Sequence, residues 1–122
     1  MNRIPNDDDF ARAEKLASER ARNLDQVSIS VMNKFKELCP LHKFSILPQR
    51  DVNFRAYVFF ESEKDRVLCS ESGINQQIIE FVYLELERLG RGNRSEIIVA
   101  FEFDSDEKVK KEFEGDYFLR LR

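Results

Sequence analysis

Two cysteines and one histidine are the side chains in this sequence best suited to metal or nucleophilic chemistry. Cys39 and His42 lie three residues apart, and Cys69 is the second thiol. Thiolate and imidazole are the usual ligands of zinc, but a structural site needs four ligands and this spacing supplies two. The same pair could form a nucleophile and its base, yet no orienting group or oxyanion donor lies nearby in the sequence. We therefore predict buried thiols, no catalytic residue and no metal ligand.

An acidic turn at residues 104–108 offers a second possible chemistry. It contains an acid-x-Lys step, and metal-dependent nucleases use two or three acids to hold a divalent ion that activates water. A calcium loop is excluded, because Lys108 takes the place of an oxygen ligand and Val109 that of the sharp-turn glycine. The glycines of residues 90–92 follow a predicted helix instead of opening one, so they form no phosphate-binding loop. We predict a solvated acidic turn and no cofactor.

The length and charge of the chain narrow the possible partners. The 122 residues fit a single domain over 1–122, with residues 1–6 expected to fray. Residues 1–60 hold 10 Lys/Arg and 8 Asp/Glu, whereas residues 61–122 hold 10 Lys/Arg and 15 Asp/Glu. The net charge of the chain is −3. Nucleic acids and anionic membranes require clustered basic residues, so a basic protein is the better partner. No apolar run could cross a membrane, and the acidic start is unlike a secretory signal. We expect a cytoplasmic protein.

Apolar periodicity predicts two amphipathic helices. The first runs over about 8–38 and ends before Pro40, because the residue before a proline avoids the helical conformation. Serine and β-branched residues near Asp25 favour a break in it. The second, within residues 70–92, is the clearest helix in the chain: Ser70 or Ser72 can cap it, apolar residues repeat from Ile74 to Leu89, and Gly90 follows its end.

Strand-like runs occupy most of the remaining chain. A polar turn at residues 62–65 indicates a hairpin, and residues 106–115 are expected to form a helical turn or a loop. The predicted strands are 43–47, 53–62, 66–70, 95–105 and 117–122. Short connections pair neighbouring strands antiparallel. We therefore predict an α+β fold, in which a four- to five-stranded antiparallel sheet is covered on one face by two amphipathic helices.

Acidic residues cluster in two stretches that the sheet could bring together into one surface. Phe59, Tyr83 or Phe118 could then serve as an aromatic anchor, since tight interfaces combine buried aromatics with surrounding charges. The alternative is that these charges only keep the protein soluble. The predicted partner-binding residues are Glu61, Glu63, Asp65, Asp104, Asp106, Glu107 and Glu112.

The passage GINQQIIEFVYLELERLGRG, followed by IIVAFEFDSDEKVKKEFEGDYFLRLR, resembles small immunity proteins of bacterial polymorphic toxin and contact-dependent growth inhibition systems. The order of elements, with an acidic FDSDE turn near the end, is also similar to the YezG-like immunity family. The likeness covers about residues 40–122. It implies a stoichiometric inhibitor that binds a cognate toxin domain, often a nuclease, in the cytoplasm and is not an enzyme.

Three functional hypotheses follow. The first is a non-catalytic immunity or antitoxin-type protein that binds and blocks a basic toxin domain, and that is itself a monomer. The second is a homo-oligomeric or regulatory adaptor built on the helix at 8–38, whose heptad-like spacing could seat a partner helix. The third is a metal-dependent nuclease around residues 104–108.

Overall fold

The computed structural model describes residues 23–49 and 53–121 of the chain. Its elements are α1 (Leu24–Phe35), β1 (Leu41–Pro48), β2 (Phe54–Phe60), α2 (Glu63–Glu71), α3 (Ile74–Arg88), β3 (Val99–Ser105), α4 (Asp106–Phe113) and α5 (Tyr117–Arg120). The predicted α+β class is confirmed. None of the helices within these ranges is long and apolar enough to cross a lipid bilayer.

The three strands form one sheet in the order β1-β2-β3. β1 and β2 pair antiparallel, with Pro48 opposite Phe54. β2 and β3 pair parallel, from Phe54 opposite Val99 to Phe60 opposite Ser105. The prediction of four to five antiparallel strands is therefore wrong, both in the number of strands and in the direction of β3.

The parallel pairing follows from the segment that connects β2 to β3. Parallel neighbours need a crossover of a dozen or more residues, and α2 and α3 supply it. The predicted strand 66–70 is wrong, because these residues belong to α2. Ser62 caps that helix: its hydroxyl accepts a hydrogen bond from the backbone N–H of Asp65 at 3.1 Å. The polar stretch at 62–65 is thus a helix start, and no strand follows it to turn back on β2.

α1 and α3 pack on one face of the sheet, where they form the larger core. Alternate residues of β2 and β3 point to this face, and the helices contribute the apolar stripes that their periodicity predicts. The buried side chains are Leu24, Val27, Val31 and Phe35 from α1, Ile78, Val82 and Leu86 from α3, Leu41, Phe44, Ile46, Phe54, Ala56, Val58, Phe60 and Val99 from the strands, and Cys39, Cys69 and Ile97 from α2 and the connections.

The opposite face of the sheet carries a second, smaller core. Tyr57 and Phe59 of β2 pack with Val109 of α4, and Phe113 and Tyr117 lie against them. The prediction that helices cover one face only is therefore wrong. β2 is the central strand and is covered on both faces, which explains its nearly continuous apolar sequence.

The two ends of the described chain also differ from the prediction. Residues 117–122 were predicted as a strand, but Tyr117–Arg120 form α5. The carboxylate of Asp116 caps this helix by accepting a hydrogen bond from the backbone N–H of Leu119 at 3.2 Å. At the other end, α1 begins after Asn23, whose φ of 65° lies outside the range of a right-handed helix. The rest of the helix predicted over 8–38, up to residue 22, lies outside the described residues, as do residues 1–6.

The double covering of the sheet predicts a large cost for emptying the second core. Phe59→Ala should lower the free energy of unfolding by about 3–5 kcal/mol, because it removes a fully buried ring from a packed site. Leu84→Ala, at a mostly exposed helix position, should change it by about 0.5 kcal/mol or less. Urea titration of both variants measures the difference. Equal, small losses would mean that Phe59 faces solvent.

Candidate functional site

Two helix N-termini lie side by side at one edge of the sheet. Because β2 and β3 run parallel, α2 and α4 begin at the edge where both strands end. Ser62 and Ser105 cap these helices, each accepting a hydrogen bond from the backbone N–H three residues later. Acidic side chains in a first turn oppose the positive end of the helix dipole. These first-turn acids are Glu63 and Asp65 in α2, and Asp106 and Glu107 in α4.

Direct contacts join the two helix starts. The carboxylate of Glu107 accepts a hydrogen bond from the backbone N–H of Glu63 at 3.1 Å. The backbone N–H of Glu107 donates to the carbonyl oxygen of Glu61 at 3.3 Å. A cleft of 410 Å³ beside them is lined by Glu63, Glu107, Lys108, Lys111 and Glu112. The sheet thus brings the two acidic stretches together. We call Glu61, Glu63, Glu107 and Glu112 the acidic edge.

His42 reaches this edge through a β-bulge in β1. Leu41 pairs with Phe60 and Lys43 pairs with Phe59, so His42 is the extra residue between them. In a regular strand its side chain would share the core-facing side of Phe44, whereas a bulge re-aims it. His42 Nδ1 instead lies 3.3 Å from a carboxylate oxygen of Glu61.

Asp106 is the most heavily contacted acid of the site. Asp106 is only 4% exposed, and its Oδ1 atom lies 3.3 Å from Nε2 of His42. The hydroxyl of Tyr117 donates to the same oxygen at 2.5 Å, while Nζ of Lys110 lies 2.9 Å from Oδ2. The ring of His42 also stacks on that of Tyr117, with 6.0 Å between centroids. Groups from β1, α4 and α5 therefore meet at one buried carboxylate.

These contacts set the ionisation of Asp106 and Tyr117. Burial alone would raise the pKa of Asp106, but hydrogen bonds from Tyr117 and Lys110, together with the nearby His42, lower it below its ordinary value. Burial and the hydrogen bond to Asp106 raise the pKa of Tyr117. Asp106 is therefore held as a carboxylate and Tyr117 as a phenol.

Asp104 forms a separate ion pair with Arg120. Nε of Arg120 lies 2.7 Å from Oδ2 of Asp104, and the other carboxylate oxygen accepts a hydrogen bond from the backbone N–H of Ser105 at 2.9 Å. The guanidinium also lies over the rings of Tyr57 and Phe59, 5.7 and 5.8 Å from their centroids. Asp104 is buried, so the structure uses it to fix α5 against the sheet.

The remaining predicted contact residues divide by exposure. Asp65 is half-buried, and its carboxylate accepts a hydrogen bond from the hydroxyl of Ser62 at 2.7 Å. Glu61, Glu107 and Glu112 are exposed. Glu63 is half-buried and carries an ion pair with Arg66, whose hydrogen bond lowers its pKa.

Among the predicted aromatic anchors, Phe59 is fully buried, so the prediction that it is available to a partner is wrong. The hydroxyl of Tyr83 accepts a hydrogen bond from the backbone N–H of Val99 at 3.0 Å. Phe118 is 76% exposed and lies on α5, next to Tyr117 in sequence.

Both thiols are buried in the larger core and are free of a disulfide. Burial, with contributions from Cys69 and Asp65, raises the pKa of Cys39 to about 12. Burial likewise raises the pKa of Cys69. A protonated thiol is a poor nucleophile and a poor metal ligand. His42 lies beside carboxylates, because its two ring nitrogens are each 3.3 Å from an oxygen of Glu61 or Asp106.

The sequence analysis did not find the convergence of His42, Glu61 and Asp106. These residues are far apart in the chain, and only the parallel register and the bulge bring them together. One signal was available. The segments Glu61-Ser62-Glu63 and Asp104-Ser105-Asp106 each place a serine cap between two acids at the end of an aromatic strand.

Comparisons of this chain with protein-family models, with curated proteins and with solved structures give no match. The resemblance to immunity proteins stays a prediction.

Removing Arg120 should destabilise the fold, because it leaves the buried carboxylate of Asp104 without its ion-pair partner. We expect Arg120→Ala to lower the free energy of unfolding by about 3–5 kcal/mol. Arg88→Ala breaks an exposed ion pair with Glu85 instead and should cost far less, since exposed pairs contribute little. Chemical denaturation compares the two variants. Similar losses would show that the Asp104–Arg120 pair is solvated.

The lowered pKa of Asp106 predicts a specific dependence of stability on pH. The carboxylate stabilises the fold above its ordinary pKa of 3.8, and this contribution is lost as the pH falls through the lower pKa of the folded state. Between about pH 6 and pH 3, Asp106→Asn should therefore lose less free energy of unfolding than the wild type. Tyr117→Phe should fall between them, because it removes one hydrogen bond to Asp106. Parallel profiles for the wild type and Asp106→Asn would contradict the assignment.

Proposed function

We propose that this protein is a non-catalytic binding protein of the immunity or antitoxin kind, and that its acidic edge blocks a basic domain of a cognate toxin. The observation that carries the proposal is the approach of Glu107 to the backbone N–H of Glu63, which places the starts of α2 and α4 together. Four carboxylates from separate parts of the chain thereby share one surface. A nuclease must present cations to phosphate, so carboxylates at such a surface would attract and cover its working face.

The rigidity of the edge also supports this role. Two capped helices and the end of β2 fix the backbone that carries the carboxylates, so little backbone freedom is lost when a partner binds. Three carboxylates and two lysines line the cleft beside the edge, so a lysine or arginine of the partner could pair there with the acids that are in excess. Exposed Phe118 on the neighbouring α5 is an aromatic group of the kind that anchors interfaces.

The proposed contact set is narrower than the one predicted from sequence. Asp104 and Asp106 are buried in ion pairs, so in this proposal they position α4 and α5 and do not contact the partner. Asp65 serves the cap at Ser62. The acidic edge, with Glu61, Glu63, Glu107 and Glu112, carries the recognition. In this proposal the protein acts without turnover.

One observation favours the second hypothesis, self-association through helices. An apolar groove of 570 Å³ lies between α1 and α3, and Phe35, Phe81 and the mostly exposed Leu84 line it. A second copy could insert a helix there. Sedimentation of the isolated chain separates the two ideas, since the proposed inhibitor is a monomer. A dimer that Leu84→Glu dissociates would favour self-association.

Reversing two charges of the acidic edge should weaken binding to the toxin. The proposed partner is the C-terminal domain of the large secreted protein expected to be encoded directly upstream. Glu107→Lys with Glu112→Lys should slow association at low salt by about tenfold or more and reduce its dependence on salt. Stopped-flow or surface-plasmon measurements give the rate, and growth of cells producing the toxin domain gives the protection.

The matched control for this test carries the same change in net charge elsewhere. Glu37→Lys with Glu87→Lys alters two exposed acids outside the edge, and it should leave association and protection near those of the wild type. Equal effects of the two double variants would show that only net charge matters. Unchanged binding in the edge variant, with its fold intact by circular dichroism, would refute the acidic edge as the contact surface.

A further inference from the structure

One imidazole and two carboxylates meet at the acidic edge from three separate elements. His42 is the second residue of β1, Glu61 follows β2, and Asp106 opens α4. One donor atom from each lies within 4.8 Å of the other two. We propose that His42, Glu61 and Asp106 bind a single zinc ion. The zinc ion would share Glu61 with the acidic edge. The proposal nevertheless does not rest on the proposed toxin-binding function, because it concerns a ligand that the isolated chain should bind.

The spacing of the donor atoms suits a metal ion. Zinc–nitrogen and zinc–oxygen bonds of about 2.0–2.2 Å place neighbouring ligand atoms of a tetrahedral site about 3.4 Å apart. Nε2 of His42 is already 3.3 Å from Oδ1 of Asp106. Glu61 lies beside the other ring nitrogen, 3.3 Å from Nδ1. Because its side chain is exposed, its carboxylate can swing from Nδ1 to the Nε2 side and become the third ligand. Three protein ligands leave a fourth position for water or for a side chain of a partner.

The chemistry of the donors favours zinc over other common ions. One nitrogen with two carboxylate oxygens is unlike the all-oxygen sites of magnesium and calcium. Imidazole suits zinc, and the two carboxylates also suit manganese, so Mn²⁺ is a weaker-binding spectroscopic probe of the same site. The thiols of Cys39 and Cys69 lie in the core with raised pKa values, and they do not contribute.

The surroundings of Asp106 prepare it as a ligand. The hydroxyl of Tyr117 donates to Oδ1, and partners of this outer kind orient ligating carboxylates. Lys110 opposes metal binding, because its ammonium group lies 2.9 Å from Oδ2 of Asp106 and would repel a cation at that carboxylate. Lys110 is 72% exposed, so it can swing into solvent when an ion binds. Removing it should therefore strengthen metal binding.

Titration of the purified, chelator-treated full chain tests the proposal. Calorimetry with zinc chloride should give one ion per chain, and electron paramagnetic resonance with Mn²⁺ should show one saturable site. His42→Ala and Glu61→Gln should abolish or strongly weaken both signals. Tyr117→Phe should weaken binding by about 10–100-fold, as expected for an outer-shell partner.

Two lysine variants form a matched pair. Lys110→Ala should lower the dissociation constant for zinc, whereas Lys111→Ala removes the same charge one residue later and should lower it less. Lys111 lines the neighbouring cleft instead of contacting Asp106. Equal effects of the two variants would mean that only the overall charge attracts the ion, which would overturn the site.

Other results would also overturn it. These are the absence of saturable binding of either ion, unchanged binding in His42→Ala, and loss of binding in a Cys39→Ala/Cys69→Ala variant, which would assign the ion to the thiols. Glu61→Gln guards against misfolding as a cause, because its side chain is exposed. Zinc binding that persists in Glu61→Gln at wild-type affinity would exclude Glu61 and with it the three-ligand site.

Discussion

The parallel pairing of β2 with β3 is the constraint on which the rest of the molecule depends. Parallel strands end at the same edge of a sheet, so the elements that follow them must start there together. Here those elements are two helices, α2 and α4, whose unpaired N–H groups carry partial positive charge. The acids concentrated at this edge interact favourably with the positive ends of the two helix dipoles. In the proposed function, a partner would contact this charged surface.

Two buried carboxylates, those of Asp104 and Asp106, attach the C-terminal segment beside the acidic edge. Asp104 holds Arg120 and Asp106 holds Tyr117, so the short helix α5 is fixed at both ends. A helix of four residues is unstable alone, and these contacts with the apolar packing of Tyr117 on Phe59 keep it in place. The burial of both acids explains why their charge is not free for a partner. Acids that look equivalent in the sequence therefore have different roles, which their contacts decide.

The sequence correctly predicted those elements whose apolar pattern depends on that element alone. The periodicity of residues 74–89 identified α3, and short apolar runs identified β1 and β2. The prediction failed where a local signal had two readings. The polar residues 62–65 are compatible with a hairpin turn and with a helix start. The prediction took them as a turn, so it paired all neighbouring strands, including β3, in the antiparallel direction. The continuous apolar sequence of β2 was the signal against that choice, because a strand covered on one face alternates. The position of His42 depends on a bulge, which the sequence does not mark.

The most direct test of this account is a nuclear Overhauser spectrum of the isotopically labelled chain. Parallel pairing predicts backbone contacts between Arg55 and Ala100 and between Phe59 and Asp104, so that both numbers rise together. The ring protons of His42 should also show contacts with the ring of Tyr117. Contacts in which one number rises while the other falls would show an antiparallel β3. The starts of α2 and α4 would then lie at opposite ends of the sheet, and the acidic edge would not exist.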